Sequence, residues 1–291
     1  MKENKLIGAC DLHTHSYYSD GTVSPRFLAE QSAHLGLSSV ALTDHNTTAG
    51  LAEFSAAAKE CGINGICGVE FSTDYGEREL HIIGLFIEQK HYADINLRLE
   101  ALHRRKDESN INLILDLEKL GMNIDYDSVA STAKGHINRA HIAAVLFERG
   151  YADSVKDAFT RYLHPSVGIY KPPKRLDAFE TIEYIESIGA VSVLAHPALS
   201  FDDMEQVEAF IKEAKPHGLS AMETRYSTYS DNQESALISL CEKYGLLESG
   251  GSDYHAEKKP DISIGSGRGN LLVPGQIATA LWEKAQKNRN Y

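Results

Sequence analysis

The segment Asp11-Leu12-His13-Thr14-His15, with Ser19-Asp20-Gly21 just after it, determines how the rest of the chain is interpreted. The apolar run 6–10 before it predicts a short buried strand. Side chains two residues apart on a strand point to the same face, so His13 and His15 present two imidazoles together at the strand's end. Asp20 follows in a turn and can fold back toward them. The pattern predicts half of a metal site, although a His-x-His pair alone is also compatible with a polar strand end.

Composition sets the class of protein. The chain has 291 residues, enough for one large domain or a barrel with an insertion, and its 42% hydrophobic and 24% charged residues are ordinary for a globular protein. Without an apolar run of about 18 residues or an apolar signal core, we expect a cytoplasmic protein that does not span a membrane. The net charge of −12 argues against binding duplex DNA. An anionic substrate stays possible, because bound cations can reverse the local field.

The cysteines predict neither disulfides nor a thiolate metal site. The four residues, Cys10, Cys61, Cys67 and Cys241, form no Cys-x-x-Cys pair, and two of them lie in apolar runs that are typical of buried strands. Any metal is therefore expected to be held by histidine and carboxylate side chains.

A strand–helix alternation predicts the fold class, because strands that alternate with helices form parallel sheets. Predicted strands occupy 6–10, 37–43, 65–69, 79–87, 190–195, 219–222 and 246–249. Between 91 and 174 the pattern changes to helices, and Lys171-Pro172-Pro173-Lys174 marks the return. We therefore predict a βα barrel formed by 1–90 and 175–291, with a helical insertion at 91–174.

Potential metal ligands recur at the ends of these strands, where βα barrels carry their functional residues. Nine such ligands are too many for one ion and suit two or three. A carboxylate such as Glu70 can bridge two metals that lie about 3.5–4 Å apart. Scattered caps and core histidines are the alternative, but it explains poorly a pattern spread over at least six strands. The nine candidates are His13, His15, Asp20, His45, Glu70, His81, His196, Asp253 and His255.

The order of these motifs resembles the PHP (polymerase and histidinol phosphatase) family. The resemblance rests on the opening motif and on Thr43-Asp44-His45, Gly68-Val69-Glu70, Leu194-Ala195-His196-Pro197 and Gly251-Ser252-Asp253-Tyr254-His255. It implies a distorted (β/α)7 barrel with a trinuclear metal site. By this resemblance His13, His15, Glu70 and Asp253 would hold one ion, and Glu70, His81 and His196 a second. Asp20, His45 and His255 would hold the third.

The insertion resembles one branch of that family, which includes 3',5'-nucleotide bisphosphate phosphatases and 5'-to-3' exoribonucleases. Members of the branch often have Gly-Arg-Pro-His where this chain has Asn138-Arg139-Ala140-His141. The resemblance implies that Arg139 and His141 bind phosphate, and that Asp253 and His141 take part in catalysis. The segment Ala256-Glu257-Lys258-Lys259-Pro260 departs from the short glycine-rich continuation that we expect.

These features predict a phosphatase that uses two or three divalent ions, Mn, Fe or Zn, to hydrolyse a small phosphorylated nucleotide and also short RNA from its 5' end. Water between the ions, with a pKa lowered toward about 7, would attack phosphorus. No obligate protein partner is evident. Three alternatives stay open: a histidinol-phosphatase-like enzyme, against which the Arg139 insertion argues; a non-catalytic PHP module, although no expected ligand is missing; and an amidohydrolase, although no strand-end lysine is apparent. Glu223 also ends a strand, and either supports a metal ligand or is a core carboxylate.

Overall fold

The computed structural model describes residues 8–132 and 137–290, so the first two residues of the predicted strand 6–10 lie outside the described residues. The chain divides into two compact units. The first combines Met1–Asn96 with Leu176–Tyr291, and the second is Leu97–Arg175. In the described ranges, no helix has both the length and the apolar content that a membrane span requires.

The elements alternate between strand and helix in the first unit and are helical in the second. Their bounds in chain order are β1 (Ala9–Asp11), α1 (Pro25–His34), β2 (Ser39–Leu42), α2 (Leu51–Cys61), β3 (Asn64–Tyr75), β4 (Arg78–Leu85), α3 (Tyr92–Lys119), α4 (Tyr126–Ala130), α5 (Arg139–Glu148), α6 (Val155–Ala158), β5 (Leu176–Asp177), α7 (Ala178–Ser187), β6 (Val191–Leu194), α8 (Pro197–Ser200), α9 (Met204–Ala214), β7 (Ala221–Tyr226), α10 (Asp231–Tyr244), β8 (Leu247–Gly251), β9 (Val273–Pro274) and α11 (Gly275–Arg289).

One sheet organises the first unit, and its two ends nearly meet. Its strand order is β8-β7-β6-β4-β3-β2-β1-β9, with β5 paired to β3. The backbone beyond β1 joins that of β8, because Leu12 N donates to Gly250 O at 3.1 Å and Asp253 N donates to His13 O at 2.8 Å. Gly251 permits this approach, since a Cβ there would lie 2.5 Å from both N and Cβ of His13. The predicted distorted barrel is confirmed.

The fourth strand corrects the expectation of an all-parallel sheet. β4 runs antiparallel to both of its neighbours, β3 and β6. No helix separates β3 from β4; the chain turns back within two residues, and Gly76 adopts φ 61° in that turn. The start of β4 therefore lies beside the carboxyl ends of the parallel strands. For this reason His81, close to the start of its strand, reaches the same edge as the other candidate ligands.

The interior of the first unit is apolar, which fixes the strands that carry the site. Its buried side chains come from the strands and from α11, and include Leu12, Ile83, Val193, Val273 and Leu281. Burial of such side chains is the dominant stabilising contribution to folding. All four cysteines lie in described parts of the chain and are free, as predicted.

The second unit has its own apolar core. Buried residues of α3, α4, α5 and α6 pack together, among them Leu117, Val129, Ile142 and Leu146. The helix α5 begins with a capping box, in which Asn138 accepts hydrogen bonds from Ala140 N and His141 N, and the His141 ring accepts one from Asn138 N. This cap fixes the conformation at the position where the branch often carries glycine and proline.

Candidate metal centre

The nine candidate ligands converge at one edge of the barrel, around the fully buried carboxylate of Glu70. Residues that are far apart in the chain meet there because the carboxyl ends of the parallel strands and the start of β4 share this edge. Three overlapping groups have ligand atoms within 4.8 Å of one another. They are His15, Asp20, His45 and His255; His13, His15 and Glu70; and His45, Glu70 and His81.

Oε2 of Glu70 is the meeting point of the group that contains His13 and His15. It lies 3.2 Å from Nε2 of His13 and 3.2 Å from Nε2 of His15. Those two nitrogens are 3.0 Å apart, and Oδ1 of Asp253 lies 3.2 Å from Nε2 of His15. A ring nitrogen carries at most one proton, so hydrogen bonds satisfy only some of these four atoms. The arrangement of several lone pairs facing one point is that of a cation site.

The other carboxylate oxygen of Glu70 faces a different pair of imidazoles. Oε1 lies 2.8 Å from Nδ1 of His81 and 3.0 Å from Nε2 of His196. His196 adopts φ 31°, a left-handed conformation that non-glycine residues rarely adopt. Glu70 therefore presents one oxygen to each of two neighbouring ligand sets, which is the geometry of a bridging carboxylate.

A third set surrounds Asp20 at the more exposed side of the cluster. Oδ1 of Asp20 lies 3.1 Å from Nε2 of His255, and Oδ2 lies 3.8 Å from Nε2 of His45. Nδ1 of His45 lies 3.1 Å from Oε2 of Glu70, so this ring stands between the Asp20 and Glu70 sets. Serine hydroxyls and the backbone then support the loop that carries Asp20.

Unpaired buried atoms and the donor chemistry test whether divalent ions fit here. Within 8–132 and 137–290, the buried Nδ1 atom of His196 has no hydrogen-bond partner, and the buried Nδ1 atom of His45 faces Oε2 of Glu70 without forming a hydrogen bond. Buried polar atoms without a partner are rare and need an explanation, such as an ion. Imidazole nitrogens mixed with carboxylate oxygens are the ligands that suit Zn, Mn and Fe. The residues present therefore fit divalent metal ions.

The pKa values of the histidines show how strongly the carboxylates and imidazoles interact. Burial lowers the pKa of His15, but hydrogen bonds to Asp253 and Glu70 outweigh it and raise the pKa to about 9. Burial likewise opposes protonation of His81, whose pKa the Glu70 charge nevertheless raises to about 10. For His45 burial dominates and lowers the pKa to about 3.

The carboxylates respond in the opposite direction. Burial raises the pKa of Glu70, but the nearby His45, His13 and His81 rings outweigh it and hold the pKa well below its usual range. Asp253 behaves in the same way, with His13 as the main opposing partner. These carboxylates are ionised at neutral pH and present negative charge to a cation.

The comparison with known protein families agrees with this site. A model of the PHP domain matches residues 11–166, more than half of the chain. The chain belongs to the PHP family. PHP phosphoesterases are metal-dependent hydrolases, and the three ligand groups around Glu70 are this chain's candidates for the metal.

Relatives match this PHP chain over nearly its full length. A 5'-3' exoribonuclease of Haemophilus influenzae is 33% identical over 274 residues, covering 94% of this chain and 98% of the relative. A 3',5'-nucleoside bisphosphate phosphatase of Chromobacterium violaceum is 28% identical over 257 residues, covering 88% and 90%. A solved structure from Bifidobacterium adolescentis, described as a metal-dependent phosphoesterase, superimposes with a TM-score of 0.81 at 26% identity, covering 94% and 96%.

Glu223 contacts a candidate ligand of the PHP site. From the sequence alone it was either a support for a metal ligand or a core carboxylate. Its Oε1 lies 3.0 Å from Nδ1 of His13, and its Oε2 accepts a hydrogen bond from His196 N at 2.7 Å. A carboxylate oxygen accepts, so Nδ1 of His13 donates to Glu223, which leaves Nε2 as the ring nitrogen that can bind a metal ion. The backbone carbonyl of Asp253 does the same for His255, whose Nδ1 lies 2.8 Å away.

Three further residues hold the candidate ligands in place and a fourth contacts one of them; the sequence reasoning missed all four. Asp44 accepts from Ser16 N at 2.8 Å and from the Ser19 hydroxyl at 2.5 Å, which fixes the loop between His15 and Asp20. Asp11 accepts from Ser252 N at 2.8 Å and from Gly265 N at 2.7 Å. Both aspartates lie inside the quoted motifs, so their positions next to ligands were the available signal. The other two, Tyr226 and Lys259, contact Asp253.

Arg139 and His141 lie in the second unit, at the start of α5. The guanidinium of Arg139 lies 4.4 Å from the ring centroid of Tyr170 and donates to Leu163 O at 3.4 Å. His141 completes the capping box of the helix. These contacts give each residue a structural role inside its own unit, so a phosphate-binding role for either one has to be tested by experiment.

Proposed function

We propose that this PHP enzyme hydrolyses the 3'-phosphate ester of a nucleotide that carries a 5'-phosphate. The preferred substrate is a nucleoside 3',5'-bisphosphate, and short RNA attacked from its 5' end is a second one. The observation that carries the proposal is the convergence of imidazoles and carboxylates on both oxygens of Glu70. Such a ligand set supports hydrolysis of a phosphate ester assisted by two or three divalent ions.

The proposed ligand sets follow the two oxygens of Glu70 and the carboxylate of Asp20. One ion would be held by His13, His15, Glu70 and Asp253, a second by Glu70, His81 and His196, and a third by Asp20, His45 and His255. When bound, Mn, Fe or Zn ions would supply positive charge for the phosphate oxygens and activate water for attack. Three divalent charges would exceed the three carboxylate charges, which makes the pocket cationic inside an acidic protein.

The side chains of the protein would then position the substrate and transfer its proton. Arg139 would bind the phosphate through its planar guanidinium, which offers two parallel donors where lysine offers a point charge. His141 would hold the phosphate or protonate the leaving oxygen. As water adds to phosphorus, the bond to the 3'-oxygen breaks, and that oxygen receives a proton. In this proposal Arg139 and His141 are the contribution of the predicted insertion 91–174 to phosphate binding.

Two relatives support this choice of substrate. One is named a 3',5'-nucleoside bisphosphate phosphatase and the other a 5'-3' exoribonuclease. Both reactions hydrolyse a phosphate ester of a nucleotide, and a single site that cleaves the bond to the 3'-oxygen would carry out both. The phosphate leaves as inorganic phosphate in one case and as the 5'-phosphate of the shortened RNA in the other. The proposal therefore needs one reaction, cleavage of the bond to the 3'-oxygen, and a site that accepts either a phosphomonoester or an RNA chain.

Phosphate release by the Mn-loaded protein tests the proposal. Adenosine 3',5'-bisphosphate and histidinol phosphate are compared side by side, with His15→Ala as the background. His34→Ala is the matched control, because His34 is an exposed histidine at the end of α1. Preference for the bisphosphate, lost in His15→Ala and kept in His34→Ala, is the expected result. Preference for histidinol phosphate would support metal-dependent hydrolysis but reject a nucleotide as the substrate. Phosphate release from neither compound would reject both the proposed hydrolysis and the proposed substrate.

Replacement of the guanidinium tests the proposed phosphate clamp. Loss of a charge-assisted pair is expected to lower kcat/KM of Arg139→Ala by about 10- to 100-fold. Arg161→Ala is the control, because Arg161 lies in the same unit and also stacks on a tyrosine, 5.0 Å from the Tyr162 centroid. Thermal melting of both variants separates a lost clamp from lost packing. An unchanged kcat/KM for Arg139→Ala would show that Arg139 does not bind the substrate.

A further inference from the structure

Lys259 brings a positive charge to the edge of the cluster of candidate metal ligands. Its Nζ lies 2.5 Å from Oδ2 of Asp253, the oxygen that faces away from the imidazoles. Oδ1 of the same carboxylate faces Nε2 of His15 at 3.2 Å. The side chain of Lys259 is 38% exposed, whereas that of Asp253 is 7% exposed. The ammonium therefore lies where the buried cluster meets solvent.

Backbone strain and hydrogen bonds hold Lys259 in this position. Asp253 and Ala256 adopt φ 55° and 54°, left-handed conformations that turn the chain back on itself. Lys259 N donates to Ala256 O at 3.0 Å, and Lys259 O accepts from Ile262 N at 3.0 Å. Glu257 N donates to the Thr22 hydroxyl at 3.3 Å, close to the loop of Asp20. The segment 256–260 therefore has a defined conformation that these hydrogen bonds hold.

Asp253 does not depend on Lys259 for its orientation. The buried Tyr226 hydroxyl donates to the same Oδ2 at 2.5 Å, and Asp253 N donates to His13 O at 2.8 Å. Oδ2 of Asp253 therefore has a buried hydrogen-bond partner besides Lys259. The flexible stem and compact ammonium of lysine suit a second task, which is to meet an anion.

We propose that Lys259 is a phosphate-binding residue of this site, with its ammonium bound to Asp253 in the absence of substrate and to a non-bridging phosphate oxygen in its presence. The inference rests on the proposed function, because it assigns a further contact to the same substrate. It gives the phosphate a cation that the barrel itself supplies. It also gives a role to the 256–260 segment, where this chain departs from the expected glycine-rich continuation.

Binding of inorganic phosphate to the Mn-loaded protein, measured by titration calorimetry, tests this inference without turnover. Lys259→Met is expected to weaken phosphate binding by about 10- to 100-fold, because a hydrogen bond to a charged group is lost. Lys258→Met is the matched control, since it removes the same charge from the exposed neighbour in the same turn. Lys259→Arg keeps the charge and is expected to bind phosphate within a few-fold of the unmodified protein.

Manganese per chain, measured on each variant, distinguishes binding from positioning. The proposal expects the same manganese content in Lys259→Met and in the unmodified protein. A fall in manganese content would assign Lys259 to holding Asp253 and overturn the proposal. Unchanged phosphate affinity in Lys259→Met, or no phosphate binding by the unmodified protein, would also overturn it. Failure of the enzyme to hydrolyse adenosine 3',5'-bisphosphate would instead reject the proposed substrate, and the phosphate titration would still report on Lys259.

Discussion

Glu223→Gln is the perturbation whose outcome the geometry defines most closely. The carboxylate of Glu223 is fully buried and serves two donors, Nδ1 of His13 at 3.0 Å and the backbone N of His196 at 2.7 Å. Glutamine has the same shape but only one accepting oxygen. If that oxygen keeps the His196 bond, the amide group faces Nδ1 of His13 and donates to it. The proton of His13 then moves to Nε2, the atom that faces Glu70.

The size of the effect follows from this change of tautomer. The variant loses one hydrogen bond to a charged group, which contributes about 1.5–3 kcal/mol, and it blocks one imidazole lone pair. Each 1.4 kcal/mol is a factor of ten in an equilibrium constant, so metal affinity is expected to fall about 10- to 100-fold. Losses of this size are typical when the partner of a metal-bound histidine is removed.

A competition titration with a metal chelator measures the affinity directly, and kcat/KM on the same preparation follows the consequence for turnover. Glu248→Gln is the control, because Glu248 pairs with Arg225 and with the Thr224 hydroxyl on neighbouring strands of the same barrel. We expect Glu248→Gln to bind metal like the unmodified protein. Undiminished metal affinity in a folded Glu223→Gln protein would refute the argument that Glu223 sets the tautomer of His13.

Four further outcomes are expected. Asp44→Ala leaves Ser16 N and two serine hydroxyls without their acceptor, so urea denaturation should show a loss of about 2 kcal/mol in the free energy of unfolding; an unchanged value would mean that the loop does not need this carboxylate. Gly251→Ala places a Cβ 2.5 Å from His13 and should destabilise by about 1–3 kcal/mol, and a neutral result would show that the two ends of the sheet do not meet this closely. Metal binding at pH 7 should release protons, because the pKa values of His15 and His81 in the metal-free protein are about 9 and 10; calorimetry in buffers of different ionisation heat should detect this release, and identical heats in all buffers would contradict it. By the same shifts, the stabilisation that these two protonated rings give to the metal-free protein is complete below the unfolded pKa of about 6.5 and is lost as the pH rises through about 9 to 10.

The barrel could be predicted from the sequence because its signals are local. Alternation places His13 and His15 on one face, and most later candidates follow an apolar run that forms a strand. The direction of a strand relative to its neighbours is not a local property of the sequence, as the antiparallel β4 demonstrates. An apolar run looks the same in either direction, so the parallel sheet expected from the βα rhythm was wrong at this strand. His81 nevertheless reaches the cluster because a reversed strand brings its start to the edge where the others end.

The residues that support the ligands could not be assigned from the sequence, because their partners are distant along the chain. Glu223 and His13 are separated by 210 positions, and Asp11 and Ser252 by 241. Strand periodicity says which face a side chain takes but not which side chain from another strand meets it. Lys259 was visible only as a departure from an expected pattern. Its contact with Asp253 depends on two left-handed residues that composition does not reveal.

In the proposed site Glu70 would hold two neighbouring ions through its two oxygens. Divalent metal bound per chain, measured after loading with manganese and desalting, tests it most directly when the unmodified protein is compared with Glu70→Gln. We predict two or three ions per chain for the unmodified protein and the loss of at least one in a folded Glu70→Gln variant. An unmodified protein that retains no manganese, or a Glu70→Gln variant that retains the full complement, would contradict the account.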